Sequence, residues 1–179
     1  MVYTTSCPSP LGTLTLASDG ASLIGLWIEG QKYFAAAVPG TNTLKEELPI
    51  FGMTKNWLTQ YFNGENPPPD ALPLAPQGSA FRTAVWNILR EIPYGTYTTY
   101  GEIAKRIAAE TRQSSMSGQA VGGAVAHNPI SIIIPCHRVV GTNGSLTGYA
   151  GGISKKIWLL EHEGIDMSLL RTPSRGTAL

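Results

Sequence analysis

The chain is poor in the residues that hold metals or form crosslinks. Its 179 residues include two cysteines, Cys7 and Cys136, and three histidines, all of which follow residue 126. Two cysteines could form one disulfide, but nothing else indicates a secreted scaffold, so we expect a reduced, cytoplasmic protein. Because Cys7 is the only such residue before position 126, the N-terminal half cannot assemble a zinc site. We expect no metal.

Long apolar runs are also missing. No stretch approaches the roughly 20 apolar residues of a membrane-spanning helix, and the run from Ile130 to Pro135 is broken by Ser131. The N-terminus has no basic segment followed by an apolar core, so we expect no signal peptide and no membrane partner. With 42% apolar and 14% charged residues, the composition is that of a globular protein with one large domain or two small ones.

The low net charge of +1 is unevenly distributed along the chain. Residues 1–79 hold three Lys or Arg and six Asp or Glu, a charge of −3, whereas residues 80–179 hold ten and six, a charge of +4. A mildly basic C-terminal half is compatible with a polyanionic partner.

The order of sequence patterns predicts two domains. Val2 to Glu29 is typical of strands, and Ile50 to Phe62 has apolar residues at helical spacing. The proline-rich segment 67–79 predicts a linker. We therefore expect an α/β domain of a small sheet plus a helix at residues 1–66, followed by a mostly helical domain at residues 80–179.

The C-terminal half contains patterns for several short helices. One runs through Phe81 to Leu89, and the next starts at Thr99, which forms a capping box with Glu102. A third starts with Ser117 as N-cap and stops before Asn128. The second and third helices, joined by a loop, predict a helix-turn-helix.

The third predicted helix is made almost entirely of very small residues. Between Gly118 and Ala126, only Gln119 has a long polar side chain, whereas a helix that reads bases in the major groove would carry Arg, Asn or Gln along one face. Either its backbone approaches a partner closely, as in a DNA minor groove, or it packs tightly against another helix. The sequence leaves both interpretations open.

The segment from Ile130 to Val140 contains the candidate chemical centre. Its apolar, β-branched residues predict a buried, extended chain, which bends at Pro135 because proline cannot donate a ladder hydrogen bond. Cys136 and His137 follow directly. A buried cysteine is more often inert than reactive, because burial raises the pKa of the thiol. A nucleophile here would need His137 as its base, directly or through a water.

Glu163 is the candidate partner that orients the imidazole. It follows a predicted helix, Ile153 to His162, and continues the stripe of Leu159 and Leu160. The helix dipole disfavours a carboxylate at this end by about 0.3–1 kcal/mol, so its position needs a reason. The alternative is an ordinary glutamate on the solvated surface.

A set of motifs in order along the chain resembles the O6-alkylguanine-DNA alkyltransferase family. Over residues 81–164 the resemblance rests on Ala120-Val121-Gly122-Gly123-Ala124, Asn128-Pro129, Pro135-Cys136-His137-Arg138-Val139, Gly148-Tyr149, Gly151-Gly152 and Trp158-Leu159-Leu160-Glu161-His162-Glu163-Gly164. The N-terminal half matches more loosely, through Ser9-Pro10-Leu11-Gly12-Thr13-Leu14. So many ordered matches are specific, whereas a Cys-His pair alone would be weak.

This resemblance implies DNA repair by direct alkyl transfer. The alkyl group would move irreversibly from O6 of guanine to the protein's own cysteine, with O4-alkylthymine left open as a second substrate. Each molecule would act once, as a methylated-DNA–protein-cysteine S-methyltransferase, after the damaged nucleotide is flipped out through the minor groove. The implied partner is double-stranded DNA with alkylated guanine. We expect a monomer without a cofactor and leave cooperative binding to DNA open.

The resemblance also implies a role for each matching residue of the chemical centre. Cys136 would be the acceptor, His137 its base through a water, and Glu163 the group that orients His137. Asn128 would stabilise the bend at the active site. Tyr100 would help to extrude the nucleotide and protonate the leaving guanine.

Further matching residues are implied to contact the substrate and the DNA. The implied pocket residues are Ser131, Val139, Tyr149 and Ala150, and the implied DNA-binding residues are Gly118, Gln119, Ala120 and Gly123. Most family members have an arginine at the position of Gln119, where it fills the gap left by the flipped nucleotide. Gln119 keeps the hydrogen bonding but lacks the charge, so we expect a different affinity for DNA. We expect Arg138 to be a buried ion-pair partner.

Two other functions stay open from the sequence. A DNA-binding relative without repair activity would share the helical domain, but it would require Cys136 to be inert. A Cys-His hydrolase would use the same two residue types. Against this, Cys136 and His137 are adjacent and no oxyanion loop is evident.

Overall fold

The computed structural model describes residues 1–36, 42–44 and 47–173 of the chain. Their contacts form two compact units, one of residues 1–78 with 129–133 and one of residues 79–128 with those from 134 onwards. The predicted fold class, a small sheet with a helix followed by a mostly helical region, is confirmed. The separate linker at residues 67–79 stays a prediction.

The first unit is built on a four-stranded sheet. Strands β1 (Val2–Ser9), β2 (Gly12–Ser18) and β3 (Leu23–Ile28) are consecutive and antiparallel, and the short β4 (Asn42–Leu44) pairs with β1 in parallel. The order across the sheet is β3-β2-β1-β4. Gly12 begins β2 with φ of +98°, a conformation that glycine adopts without strain and that closes the tight turn from β1.

Helix α1 (Pro49–Phe62) packs against β1, β2 and β3. Its proline lies in the first turn, where no N–H is required. The buried residues recur at helical spacing and are Ile50, Phe51, Thr54, Trp57, Leu58 and Tyr61. Beyond the helix, the chain adds to the edge of β3, where the Leu23 N–H donates to the Pro73 carbonyl at 2.8 Å. The Leu26 N–H donates to the Pro129 carbonyl at 2.8 Å on the same strand.

Among its described residues, the second unit has four α-helices: α2 (Ala80–Arg90), α3 (Tyr100–Glu110), α4 (Gly118–Ala126) and α5 (Ile153–His162). A two-stranded parallel ladder pairs β5 (Thr98–Thr99) with β6 (Val139–Val140). In the described part of the chain, no helix is both long and apolar enough to cross a bilayer.

The predicted helix starts are confirmed by their caps. The Thr99 hydroxyl accepts from the Glu102 N–H at 3.1 Å, and the Ser117 hydroxyl accepts from the Gln119 N–H at 3.2 Å. Each bond satisfies an N–H that has no partner inside its helix. The two helices that follow are those of the predicted helix-turn-helix.

A hydrogen bond and an apolar cluster hold helices of this unit in place. The indole N–H of Trp86 in α2 donates to the Ala124 carbonyl of α4 at 2.9 Å, which fixes α4 against the fully buried α2 face. Around α5, Leu160 packs in a cluster with Val140 and Leu146. These contacts hold α4, the helix of small residues, and α5, the helix that Glu163 follows, in place.

Candidate active site

The chain from Ile130 to Pro135 is buried but not extended. The Ile133 N–H donates to the Ser131 carbonyl at 2.8 Å, and Ile132 between them has φ of +71°. This hydrogen bond closes a γ-turn of the positive-φ form, which is strained and rare for a β-branched residue. The predicted extended conformation is therefore wrong here. The apolar pattern reports burial, and burial does not determine the backbone angles.

A second γ-turn leads into Cys136. Its N–H donates to the Ile134 carbonyl at 2.8 Å around Pro135, whose φ of −81° and ψ of 64° are those of an inverse γ-turn. The bend predicted at Pro135 is thus confirmed, and residues 136–138 follow as one turn of 3₁₀ helix. Asn128 Nδ2 donates to the same Ile134 carbonyl at 2.7 Å, so its amide holds this turn.

Cys136 is a buried free thiol, 5% exposed. Burial raises its pKa, and this effect outweighs a hydrogen bond from Asn128, the charge of Lys156 and nearby backbone N–H groups, all of which lower it. A thiol in this environment is mostly protonated at neutral pH. It becomes a nucleophile only if another group takes its proton.

His137 is oriented as a neutral base. Its side chain is fully buried, and Nε2 lies 2.6 Å from Glu163 Oε1. Because burial outweighs the raising effect of Glu163, the pKa of His137 is lowered, so the ring is neutral at pH 7. A carboxylate can only accept, so Nε2 carries the ring proton and Nδ1 presents a lone pair. Nδ1 is buried and has no hydrogen-bond partner among the described residues.

Glu163 follows α5 as its C-cap and is 5% exposed, so the alternative of a solvated surface glutamate is wrong. Arg138 donates to it twice, from Nε at 2.8 Å and from Nη2 at 3.0 Å, and the Gly95 N–H donates at 3.2 Å. Burial alone would raise the pKa of Glu163, but the contacts of His137 and Arg138 hold it well below its usual range. The expected ion pair of Arg138 is confirmed, and it offsets the unfavourable helix end.

Tyr100 and Tyr149 both remain protonated at neutral pH. Burial, with the charge of Cys136, raises the pKa of Tyr100 to about 12 and raises that of Tyr149 well above its ordinary value. The Tyr100 hydroxyl lies 3.1 Å from the Thr147 carbonyl and 3.2 Å from the Gly148 carbonyl. The Tyr149 hydroxyl is buried without a hydrogen-bond partner among the described residues.

The other implied pocket residues fall in different places. Val139 is fully buried in β6, directly after the turn of Cys136, and Ala150 is half-buried before α5. Ser131 belongs to the first unit, where its hydroxyl donates to Gln31 Oε1 at 2.9 Å. A role for Ser131 in the pocket stays a prediction.

Sequence reasoning missed Lys156, whose side chain is fully buried in α5. Its Nζ donates to the Val139 carbonyl at 2.5 Å and to the Thr147 carbonyl at 3.0 Å. A signal for it was present, because Lys156 lies three residues after Ile153 and four before Leu160, on the apolar stripe of the helix. A lysine at such a position needs a partner in the interior.

The four implied DNA-binding residues lie on one exposed face of α4, opposite the buried Val121, Ala124 and Val125; they are Gly118, Gln119, Ala120 and Gly123. A Cβ atom added at Gly118 or Gly123 would meet nothing within 4 Å. Tight packing against the described residues therefore does not account for the absence of side chains at these two positions. Close approach by an outside partner such as DNA stays a prediction.

Comparison with known proteins identifies the family. Residues 80–165 match the family model "6-O-methylguanine DNA methyltransferase, DNA binding domain", and residues 1–76 match "6-O-methylguanine DNA methyltransferase, ribonuclease-like domain". The chain belongs to the 6-O-methylguanine DNA methyltransferase family. It is thus a DNA-repair transferase with a DNA-binding domain, of a family whose members are consumed by one transfer.

Individual relatives within this methyltransferase family cover almost the whole chain. A methylated-DNA–protein-cysteine methyltransferase of Haemophilus influenzae is 44% identical over 165 residues, which cover 92% of this chain and 87% of the relative. One of Methanosarcina acetivorans is 45% identical over 157 residues, covering 87% and 94%. The crystal structure of Mycobacterium tuberculosis OGT in complex with DNA superposes with a TM-score of 0.76 at 39% identity and 94% coverage of each chain.

Proposed function

We propose that the protein transfers an alkyl group from O6 of guanine in double-stranded DNA to Cys136. The observation that carries the proposal is the hydrogen bond of 2.6 Å between His137 and Glu163. The buried thiol of Cys136 directly precedes His137 in the chain. This bond directs the ring proton to Nε2 and leaves Nδ1 as the base. A base is what a thiol with a raised pKa requires.

The reaction is a displacement at carbon. His137 takes the Cys136 proton, directly or through a water, and the thiolate attacks the alkyl carbon. A sulfur–carbon bond forms, the carbon–O6 bond breaks, and the electron pair stays with guanine. Tyr100, protonated because of its high pKa, donates a proton to the leaving base. His137 then releases the thiol proton to solvent, and solvent reprotonates Tyr100. The product is guanine and a thioether, which no described neighbour can hydrolyse, so each molecule reacts once.

The proposed DNA contact is the exposed face of α4. Its tiny side chains would let the helix backbone enter a minor groove, with Gln119 directed to the gap left by the flipped nucleotide. Flipping is required because O6 is not accessible to a buried thiol while the base is stacked, and it costs a few kcal/mol. Asn128 would keep the active-site turn in shape, and Tyr149 and Val139 would line the pocket.

The chemistry also limits the partners. The alkyl group passes directly from oxygen to sulfur without a change of oxidation state, so the proposed step needs no redox cofactor. A reduced thiol and a DNA substrate fit a cytoplasmic monomer. O4-alkylthymine presents a comparable alkyl–oxygen bond and is the second substrate to test.

The test is the intact mass of the protein after incubation with duplex DNA carrying O6-methylguanine. The wild type and Cys7→Ser should each gain one methyl group in place of a thiol hydrogen. Cys136→Ser should gain none and should still bind the duplex. A methylated Cys136→Ser protein would disprove the assignment, and DNA binding without any transfer by the wild type would indicate a non-repairing member. Turnover of a thioester without a mass change would indicate a hydrolase.

A further inference from the structure

Lys156 is a buried charged residue of the second unit that the proposed reaction leaves unused. It is the fourth residue of α5, and its side chain is 0% exposed. Lysine is almost never buried in this way unless it is paired. The described partners of its ammonium group are two backbone carbonyls, with no carboxylate among them. When protonated, Lys156 therefore carries a buried positive charge with no carboxylate partner among the described residues.

Both carbonyls belong to segments next to the chemical centre. Val139 directly follows the turn of residues 136–138, and its carbonyl lies 2.5 Å from Nζ of Lys156. Thr147 accepts from Lys156 at 3.0 Å and from the Tyr100 hydroxyl at 3.1 Å. One carbonyl thus links the lysine of α5 to the tyrosine that begins α3. If Nζ of Lys156 moved, the positions of both Val139 and Tyr100 would change.

We propose that Lys156 is a positioning residue for alkyl transfer. It fixes the two pocket segments at Val139 and Thr147, and its positive charge stabilises the Cys136 thiolate. This inference rests on the proposed function, in which Cys136 is the acceptor. It assigns the lysine two effects that can be separated, because one requires the hydrogen bonds and the other requires only the charge.

The surrounding groups make the electrostatic effect measurable. The titratable and charged groups that act on this region are Tyr100, Cys136, His137, Arg138, Tyr149, Lys156 and Glu163. Glu163 keeps its charge, and the tyrosines and His137 stay neutral, through the mildly alkaline range. Burial, partly offset by Cys136, lowers the pKa of Lys156 to about 8. Among the groups named, Lys156 and Cys136 are therefore expected to change charge in this range.

The experiment measures the rate of Cys136 alkylation by iodoacetamide from about pH 6 to pH 10. All variants carry Cys7→Ser, so that Cys136 is the only thiol. Because it needs no DNA, this rate reports on the thiolate separately from repair. Lys156→Met keeps most of the length of the side chain without its charge. Lys156→Arg keeps a charge that does not titrate in this pH range. Lys155→Met, at the neighbouring position, is the matched control.

The expected result is an upward shift of about one pH unit in the Lys156→Met profile, which is about tenfold less reaction at neutral pH. The wild-type rate should bend near pH 8, where Lys156 loses its charge, and the Lys156→Arg rate should rise without this bend. Lys155→Met should match the wild type. In single-turnover repair, Lys156→Arg should be slower than the wild type because Tyr100 and Val139 are displaced.

Two results of these measurements would contradict the proposal. A folded Lys156→Met protein whose alkylation profile matches that of the wild type overturns the charge effect. A folded Lys156→Arg protein that repairs lesion DNA at the wild-type rate overturns the positioning effect. Failure of the proposed function looks different: the wild type would then gain no methyl group from lesion DNA, whatever the profiles show.

Discussion

Replacing Glu163 with glutamine tests the buried network by exchanging one carboxylate oxygen for an NH₂ group. Glu163 Oε1 accepts from His137 Nε2 and Arg138 Nη2, and Oε2 accepts from Arg138 Nε and the Gly95 N–H. A glutamine amide has one accepting oxygen, and its NH₂ group only donates. Whichever position the NH₂ group takes, it faces two donors. The variant therefore loses two of the four hydrogen bonds and leaves Arg138 without its counter-ion.

The expected loss of stability follows from this geometry. Removing one partner of a buried ion pair costs about 3–5 kcal/mol, so the free energy of unfolding of Glu163→Gln at pH 7 should fall by about that amount. Glu161→Gln is the matched control, because Glu161 is exposed near the end of the same helix, and it should change stability by less than about 0.5 kcal/mol. Urea denaturation followed by tryptophan fluorescence measures both. Equal stabilities would refute the argument that Glu163 is a buried counter-ion.

The same variant should slow the chemistry less than removal of the base. An amide oxygen in the Oε1 position can still accept from His137 Nε2, whereas an NH₂ group there would reverse the tautomer and remove the lone pair from Nδ1. His137→Ala should slow single-turnover transfer by about 10²–10⁴-fold, and Glu163→Gln by less. Rates unchanged across the pH range in both variants would contradict the role of His137 as a base.

Two further outcomes follow from the site. As the pH falls below 6.5, the free energy of unfolding should decrease, because His137 is protonated in the unfolded chain but stays neutral in the folded protein, where its pKa is lowered. Below pH 4.5 a steeper decrease should follow, because Glu163 is protonated in the unfolded chain but stays charged in the folded protein. Glu163→Gln should lack this second decrease, and Glu161→Gln should retain it. Gln119→Arg should tighten binding to duplex DNA and steepen its salt dependence by about one ion, leaving repair of the free alkylated base unchanged. If neither Gln119→Arg nor Gln119→Ala alters duplex binding or repair, Gln119 does not contact the DNA.

Local signals in the sequence predicted the elements well where one residue decides the geometry. Thr99 and Ser117 were expected as N-caps, and both accept from the N–H groups that begin α3 and α4. Glu163 was only a candidate for a buried carboxylate, because its spacing on the stripe fitted a solvated surface glutamate at least as well. Such features depend on neighbours three or four residues away, which the sequence displays directly.

Features that depend on distant segments could not be predicted in this way. The γ-turn at Ile132 has a positive φ at a β-branched residue, which no local propensity favours. The pairing of Thr98 with Val139 joins residues far apart in the chain, and so does the Tyr100 contact with Thr147. Lys156 is buried because these segments meet around it. Its place on the apolar stripe was visible, but the carbonyls that accept its protons were not.

The burial of Cys136 also has a consequence for the protein while it waits for damage. A protein that reacts once has to preserve its thiol until a lesion arrives. Peroxides attack exposed thiolates, and Cys136 is 5% exposed with a raised pKa, so it is a poor target for oxidation. With Cys136 as the proposed acceptor, the same enclosure that gives His137 its proposed role as a base also protects the unused thiol.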